Sequence, residues 1–155
     1  MNLPGKLRIR ALLFSLLAIL AATYSGAAEK SAQTVQVKIV AILGSNKNQE
    51  FDSRLKSLEQ QLKVRNFKSY RLLKEEIQSV IWRENANFEI PGGRSLIVTP
   101  QEPKDKEIGL KVRLQEGKKP LVDTTVWLQN KGNFIVAGPP HEGGVLFLAI
   151  WATLQ

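Results

Sequence analysis

Residues 34–43 open on a strict alternation of apolar and polar positions. Val35, Val37 and Ile39 fall on one face of an extended chain, while Gln36 and Lys38 fall on the other. The last four residues of the stretch are all apolar. Because successive side chains of a strand point to opposite faces, the pattern predicts a β-strand that starts half exposed and ends buried.

A helical pattern follows a polar connection. Asp52 stands where a side-chain oxygen can accept a hydrogen bond from a free amide of a first helical turn. We therefore predict a helix over residues 52–64 with Asp52 as its N-cap. The apolar stripe of this amphipathic helix recurs at spacings of four, three and four positions and consists of Phe51, Leu55, Leu58 and Leu62.

Residues 70–82 fit two patterns. No capping residue and no glycine stop brackets a second helix here, so the sequence favours a long strand or a bent hairpin arm, with a helix as the alternative. The strand face holds Leu73, Ile77 and Ile81, and the helix face would hold Tyr70, Leu73, Ile77 and Val80.

The remainder of the chain is a series of strand patterns separated by turns. Pro91-Gly92-Gly93 and Asn130-Lys131-Gly132 are turn sequences with apolar strands on both sides. Residues 108–115 alternate between an apolar face and a face with Lys111 and Arg113. Residues 145–154 are apolar on both faces, which is typical of a central strand covered on both sides. These patterns predict an α+β fold, with one amphipathic helix packed on a mostly antiparallel sheet or sandwich of about six to eight strands.

The first 28 residues have the pattern of a cleaved secretory signal. Three basic residues precede an apolar run over residues 11–22, and small residues at 25–28 supply a cleavage site. The alternative is a membrane anchor, but a spanning helix needs about 20 apolar residues. We expect a signal peptide over 1–28, a flexible leader over 29–33 and one α+β domain over 34–155. The mature protein is then exported, periplasmic or extracellular, and has no transmembrane helix.

Composition narrows the class of protein. The 155 residues include no cysteine, which excludes a disulfide scaffold, and 43% are hydrophobic, which excludes a disordered chain. Lys and Arg number 22 against 14 Asp and Glu, a formal net charge of +8. A basic balance favours acidic partners but does not bear on the fold.

Seven basic residues are the candidate binding residues. If they converge in space, they form a surface for a polyanion; the alternative is a solvated face with edge-strand lysines that block aggregation. For an exported protein the partner is an envelope protein, or an anionic envelope polymer or lipid surface, and not nucleic acid. The seven are Lys63, Arg65, Lys68, Arg71, Lys74, Lys111 and Arg113.

Catalytic and cofactor chemistry has little support in the sequence. His141 is the one histidine and could act as a general base oriented by Glu142 or Asp123. The alternative is a solvated histidine in a Pro/Gly loop. One histidine and no cysteine do not make a zinc site, so no metal or cofactor is expected. The tryptophans form either a sugar platform or part of the core: Trp82, Trp127 and Trp151.

Four short motifs carry a resemblance to a known family. They are Phe51-Asp52-Ser53-Arg54-Leu55, Ser69-Tyr70-Arg71-Leu72-Leu73, Pro91-Gly92-Gly93-Arg94-Ser95-Leu96, and Gly138-Pro139-Pro140 with Gly143-Gly144-Val145-Leu146. In this order and spacing, residues 35–150 resemble a family of short exported bacterial proteins of uncharacterised function, with a strand-helix start and a β-rich remainder. The resemblance implies that the Tyr70 region is extended and that the protein is an envelope component.

Two classes of function follow as hypotheses. The first is a non-enzymatic exported binding or assembly module of the bacterial periplasm or cell envelope, which uses a basic face or a free sheet edge. The second is a small exported hydrolase that uses His141. The missing catalytic groups favour the first hypothesis.

Overall fold

Eight strands form two antiparallel sheets in the computed structural model, which describes residues 33–155. The strands are β1 Thr34–Ser45, β2 Ser69–Ile81, β3 Ala86–Ile90, β4 Arg94–Lys104, β5 Glu107–Glu116, β6 Lys119–Gln129, β7 Asn133–His141 and β8 Gly144–Leu154. Sheet A has the order β2-β1-β8-β7, and sheet B has the order β3-β4-β5-β6. The strand number lies at the upper end of the predicted range.

The main core lies between the two sheets. Val35, Val37 and Ile39 of β1 belong to the same buried cluster as Leu110 and Val112 of β5, and none of these side chains is exposed. The alternation at the start of β1 therefore places its apolar residues where the sequence predicted. A sandwich of this kind buries the apolar face of each sheet against the other.

The helix forms a third layer on the outer face of sheet A. Two central strands, β1 and β8, are consequently buried on both faces, which explains why residues 40–43 and 145–152 are apolar throughout. The predicted α+β fold, with one helix packed on an antiparallel sandwich, is confirmed. The cluster between helix and sheet holds Val40, Ile42, Leu55, Leu58, Leu62, Tyr70, Phe147 and Ala149.

The helix has 11 residues and two parts. A 3₁₀ segment, Ser53–Leu58, continues as the α-helix α1, Glu59–Lys63. Leu55 and Leu58 are three positions apart, as the 3₁₀ geometry requires, whereas Leu58 and Leu62 are four apart, as in an α-helix. The predicted N-cap is confirmed, because the Asp52 carboxylate accepts a hydrogen bond from the Arg54 amide at 3.1 Å.

β2 covers Ser69–Ile81 and is not a second helix, so the strand prediction for residues 70–82 is confirmed. β2 pairs antiparallel with β1 from Thr34 opposite Ile81 to Ser45 opposite Ser69. Because β2 is an edge strand with a partly bare outer face, Ile77 is 51% exposed, and the strand lacks a clean period of two. The predicted turns join β3 to β4 and β6 to β7.

No helix among residues 33–155 is long and apolar enough to cross a membrane. The predicted signal peptide over 1–28 and nearly all of the leader over 29–33 lie outside the described residues. Export and localisation therefore stay predictions.

Asp52 ties the helix to the sheet as well as capping it. Its carboxylate accepts two hydrogen bonds from the Arg54 side chain, at 3.0 and 2.7 Å, and one from the Leu72 amide of β2 at 3.1 Å. The Arg54 side chain holds the pKa of the Asp52 carboxyl well below its usual range, and the Leu72 amide lowers it further, while burial opposes both.

We expect this carboxylate to make the fold sensitive to acid. Because the pKa of Asp52 is depressed in the folded state, its stabilisation is complete above the ordinary carboxyl pKa of about 4 and is lost as the pH falls through the folded pKa. Asp52→Asn keeps an oxygen acceptor without the charge. It should lower the free energy of unfolding by about 1 kcal/mol at neutral pH and flatten its acid limb.

Urea denaturation between neutral pH and about pH 3 measures both effects. Asp105→Asn, in the exposed turn between β4 and β5, is the matched control and should change neither. An acid limb that is identical in Asp52→Asn and the parent protein would contradict the assignment.

Candidate functional site

The outer face of sheet B presents two of the predicted basic residues. Leu110, Val112 and Leu114 of β5 are fully buried in the core, so Lys111 and Arg113 between them project outward. Neither the helix nor sheet A covers this face. The alternation seen in the sequence thus places both cations on an open surface.

Neighbouring strands surround these two cations with polar and hydroxyl groups. Thr99 of β4 and Thr125 of β6 lie opposite Lys111 in the sheet, one on each side. Ile97 and Asp123 flank Arg113 in the same way. Each row of the face therefore crosses three strands, with a β5 residue in the middle.

Trp127 lies on the same face and rests on a glycine. It is the β6 partner of Gly109, and atoms Cζ3 and Cη2 of its six-membered ring lie beside that glycine. A β-carbon at Gly109 would stand 2.9 Å from Cζ3 of the indole and 2.9 Å from Cβ of Gln101. Gly109 thus leaves the space that seats the ring, while 44% of Trp127 stays exposed to solvent.

A groove of about 670 Å³ runs over these rows. Among the described residues, its lining contains the cations Arg83, Lys111 and Arg113 and no carboxylate or imidazole group. Glu102 pairs with Arg83 at 2.7 Å, and Asp123 pairs with Arg113 at 3.8 Å, both from outside the lining. Within residues 33–155, no carboxylate lies at ion-pair distance from Lys111. With these two carboxylates counted against the three cations, one net positive charge remains, at Lys111, so the groove is suited to binding an anion rather than to acid-base chemistry.

The structure does not bring all seven predicted basic residues together. Only Lys111 and Arg113 line the groove, because the other five belong to the helix, to sheet A or to the connection between them. Three of the five are paired with carboxylates: Lys63 with Glu59 at 3.0 Å, Arg71 with Glu142 at 3.6 Å and Lys74 with Glu76 at 3.0 Å. The five are Lys63, Arg65, Lys68, Arg71 and Lys74.

His141 is enclosed rather than solvated. Its side chain is 11% exposed, with Nδ1 at 3.3 Å from Nη1 of Arg94 and Nε2 at 3.8 Å from a carboxylate oxygen of Glu142. Because a guanidinium only donates, Nδ1 of His141 is the acceptor in any hydrogen bond with Arg94. Asp123, the other suggested orienting group, instead pairs with Arg113 on sheet B. No hydroxyl of the described residues hydrogen-bonds His141, so no nucleophile is paired with it.

Arg94 joins the two sheets at the same end of the sandwich, a role that sequence reasoning missed. Its side chain, 8% exposed, donates to the carbonyl oxygens of Pro91 at 3.1 Å and Pro140 at 3.0 Å. The turn before β4 is thereby fixed to the end of β7. Two of the motifs that carry the family resemblance, those with Pro91 and Pro140, are brought together here by Arg94. Their positions in the sequence do not indicate this contact.

The other two motifs line a second cavity nearby, of about 640 Å³. Arg71 and Glu142 face each other in it, and Asp52 holds Arg54. Lys47 donates to the backbone oxygen of Glu142 at 3.4 Å. Because acidic and basic groups neutralise one another here, this cavity offers no net charge to a ligand.

The three tryptophans do not form one platform. Trp82 packs against the core between the sheets, and Trp151 packs against the cluster under the helix, with the Lys38 ammonium 5.1 Å from the centre of its ring. Trp127 alone is on the groove. No group of three potential metal ligands occurs in the part of the chain that the structure describes.

Comparisons with protein-family models, curated proteins and solved structures give no match for this chain, and the family resemblance of the four motifs stays a prediction.

Proposed function

We propose that the chain is a non-enzymatic exported binding module of the bacterial cell envelope, which holds an anionic partner on the outer face of sheet B. The observation that carries the proposal is the placement of Lys111 beside Arg113 in one open groove, since within residues 33–155 no carboxylate lies at ion-pair distance from Lys111. A surface that keeps a net positive charge attracts and retains ligands of the opposite sign.

A free sheet edge is less well supported as the binding element. In the edge strand β2, Lys74, Glu75 and Glu76 follow one another, and charged residues at an edge discourage pairing with a further strand. The edge of β3 is in turn covered, because Lys74 and Gln78 donate to the backbone oxygens of Glu89 and Asn87.

The alternative, a small hydrolase, would depend on His141. Both of its ring nitrogens face charged side chains, Arg94 and Glu142, and the enclosed ring has little room to approach a substrate. This environment supports the binding module. A hydrolytic activity that is lost on His141→Ala while the fold is retained would overturn that preference.

Binding to dextran sulfate, with uncharged dextran as reference, tests the proposal by isothermal titration calorimetry. We expect affinity for the sulfated polymer that falls steeply with salt, and a loss of about tenfold or more in the double variant Lys111→Ala/Arg113→Ala. Lys63→Ala/Lys68→Ala removes the same charge from the helix and the loop that precedes β2, and should cost about threefold or less. Equal losses in the two double variants, or binding that is independent of salt, would contradict the proposed face.

A further inference from the structure

We infer that the ligand of this face is an acidic polysaccharide, with a sugar ring stacked on Trp127 and its anionic groups paired with Lys111 and Arg113. The inference rests on the proposed function and names the chemistry of its ligand. Three features of the groove carry it: an exposed tryptophan, the spacing of the cations and the polar groups that line the same groove.

The indole of Trp127 is an aromatic surface on which a ligand ring can stack. Atoms Cζ3 and Cη2 of the ring occupy the space that the missing β-carbon of Gly109 leaves open, so the sheet itself positions the indole. The residue is 44% exposed, so part of the indole is accessible to a ligand. Sugar rings stack their C–H faces on such flat, fixed aromatic surfaces, because both partners then shed water from apolar area.

The cations follow the platform at regular steps. Residues 109, 111 and 113 of β5 face outward in succession, and a strand advances about 3.4 Å per residue, so adjacent rows stand about 7 Å apart. Trp127 shares the first row, Lys111 occupies the second and Arg113 the third. A polysaccharide chain that lies along β5 from Trp127 therefore passes both cations.

Hydroxyl and amide groups fill the space between the charges. Thr99, Thr125, Asn85 and Gln101 line the groove, and such side chains both donate to and accept from sugar hydroxyls. A polyanion without hydroxyl groups leaves them without a ligand partner. The lining thus favours an acidic sugar chain over a simple polyanion.

Titrations with polygalacturonate and polyglutamate test the inference, since both carry carboxylates but only the first has sugar rings. We expect tighter binding of polygalacturonate. Trp127→Ala should cut that affinity about tenfold and leave polyglutamate within about twofold, while Trp127→Phe retains most of the preference. Trp151→Phe is the control away from the groove, and the unfolding free energy of each variant establishes that it folds.

The outcomes separate the inference from the proposed function. If Trp127→Ala lowers affinity for both polymers equally or for neither, or if single-stranded oligothymidylate binds more tightly than polygalacturonate, the sugar assignment is wrong. Salt-dependent dextran sulfate binding through Lys111 and Arg113 would then still support the proposed function. If the dextran sulfate experiment also fails, both are overturned.

Discussion

Replacing Gly144 by alanine is expected to lower the free energy of unfolding by about 3 kcal/mol, near the top of the usual range for overpacking. A β-carbon at this position would collide with the backbone oxygen of Gly44 and stand 3.1 Å from Cδ1 of Leu43. The strand β1 cannot move aside, because β2 pairs with its other edge and both of its faces are packed. The collision therefore falls between the two most buried strands of the protein.

Urea denaturation measures this loss of unfolding free energy. The slope of the free energy against urea concentration should be the same in the variant and the parent protein. Gly93→Ala is the matched control: its backbone has φ of +72°, but nothing lies within 4 Å of the added carbon. It should cost only the strain of a left-handed residue, about 1 kcal/mol. Equal losses at the two glycines would mean that β1 and β8 are not tightly apposed at Gly144.

Arg94→Lys is expected to be the second most costly of these substitutions, at about 2–3 kcal/mol. Lysine keeps the charge but has no planar fork, so a single ammonium cannot reach the oxygens of both Pro91 and Pro140 as the guanidinium does. The side chain is 8% exposed, so water replaces the lost bonds poorly. Amide hydrogen exchange should also accelerate in the β3–β4 and β7–β8 turns.

The matched control for this substitution is Arg83→Lys, whose side chain is 72% exposed and pairs with Glu102 at 2.7 Å. An exposed pair of this kind contributes little, so the change in unfolding free energy should be about 0.5 kcal/mol or less. If Arg94→Lys lowers the unfolding free energy no more than Arg83→Lys does, Arg94 does not hold the two turns together. His141 would then need another explanation for its burial.

Sequence reasoning went furthest where a residue's neighbours along the chain decide its environment. The apolar run 145–154 could be read as a strand covered on both sides, because only a buried strand tolerates apolar residues on both faces. Asp52 could be identified as an N-cap, since the amide that it accepts from lies two residues away. Residues 70–82 were harder, because an edge strand has no clean alternation of buried and exposed positions.

The candidate site was only partly accessible from the sequence. The outward direction of Lys111 and Arg113 follows from the alternation in β5. Their separation from the five other basic residues does not, because it depends on which sheet each strand joins. Gly109 is the one local sequence feature that indicates where the Trp127 ring lies, since a glycine inside a strand often marks a close approach of another group.

By itself, the sequence determined the strand and helix segments, the cap at Asp52 and the faces of the regular strands, because these depend on contacts and periods within a few residues. Tertiary structure alone decided the division into two sheets, the enclosure of His141 by Arg94 and the meeting of Trp127 with Lys111 in one groove. The physical reason is the distance along the chain between the residues that interact. Pairing between strands distant in the chain is selected by the burial of whole faces, a property that no local pattern contains.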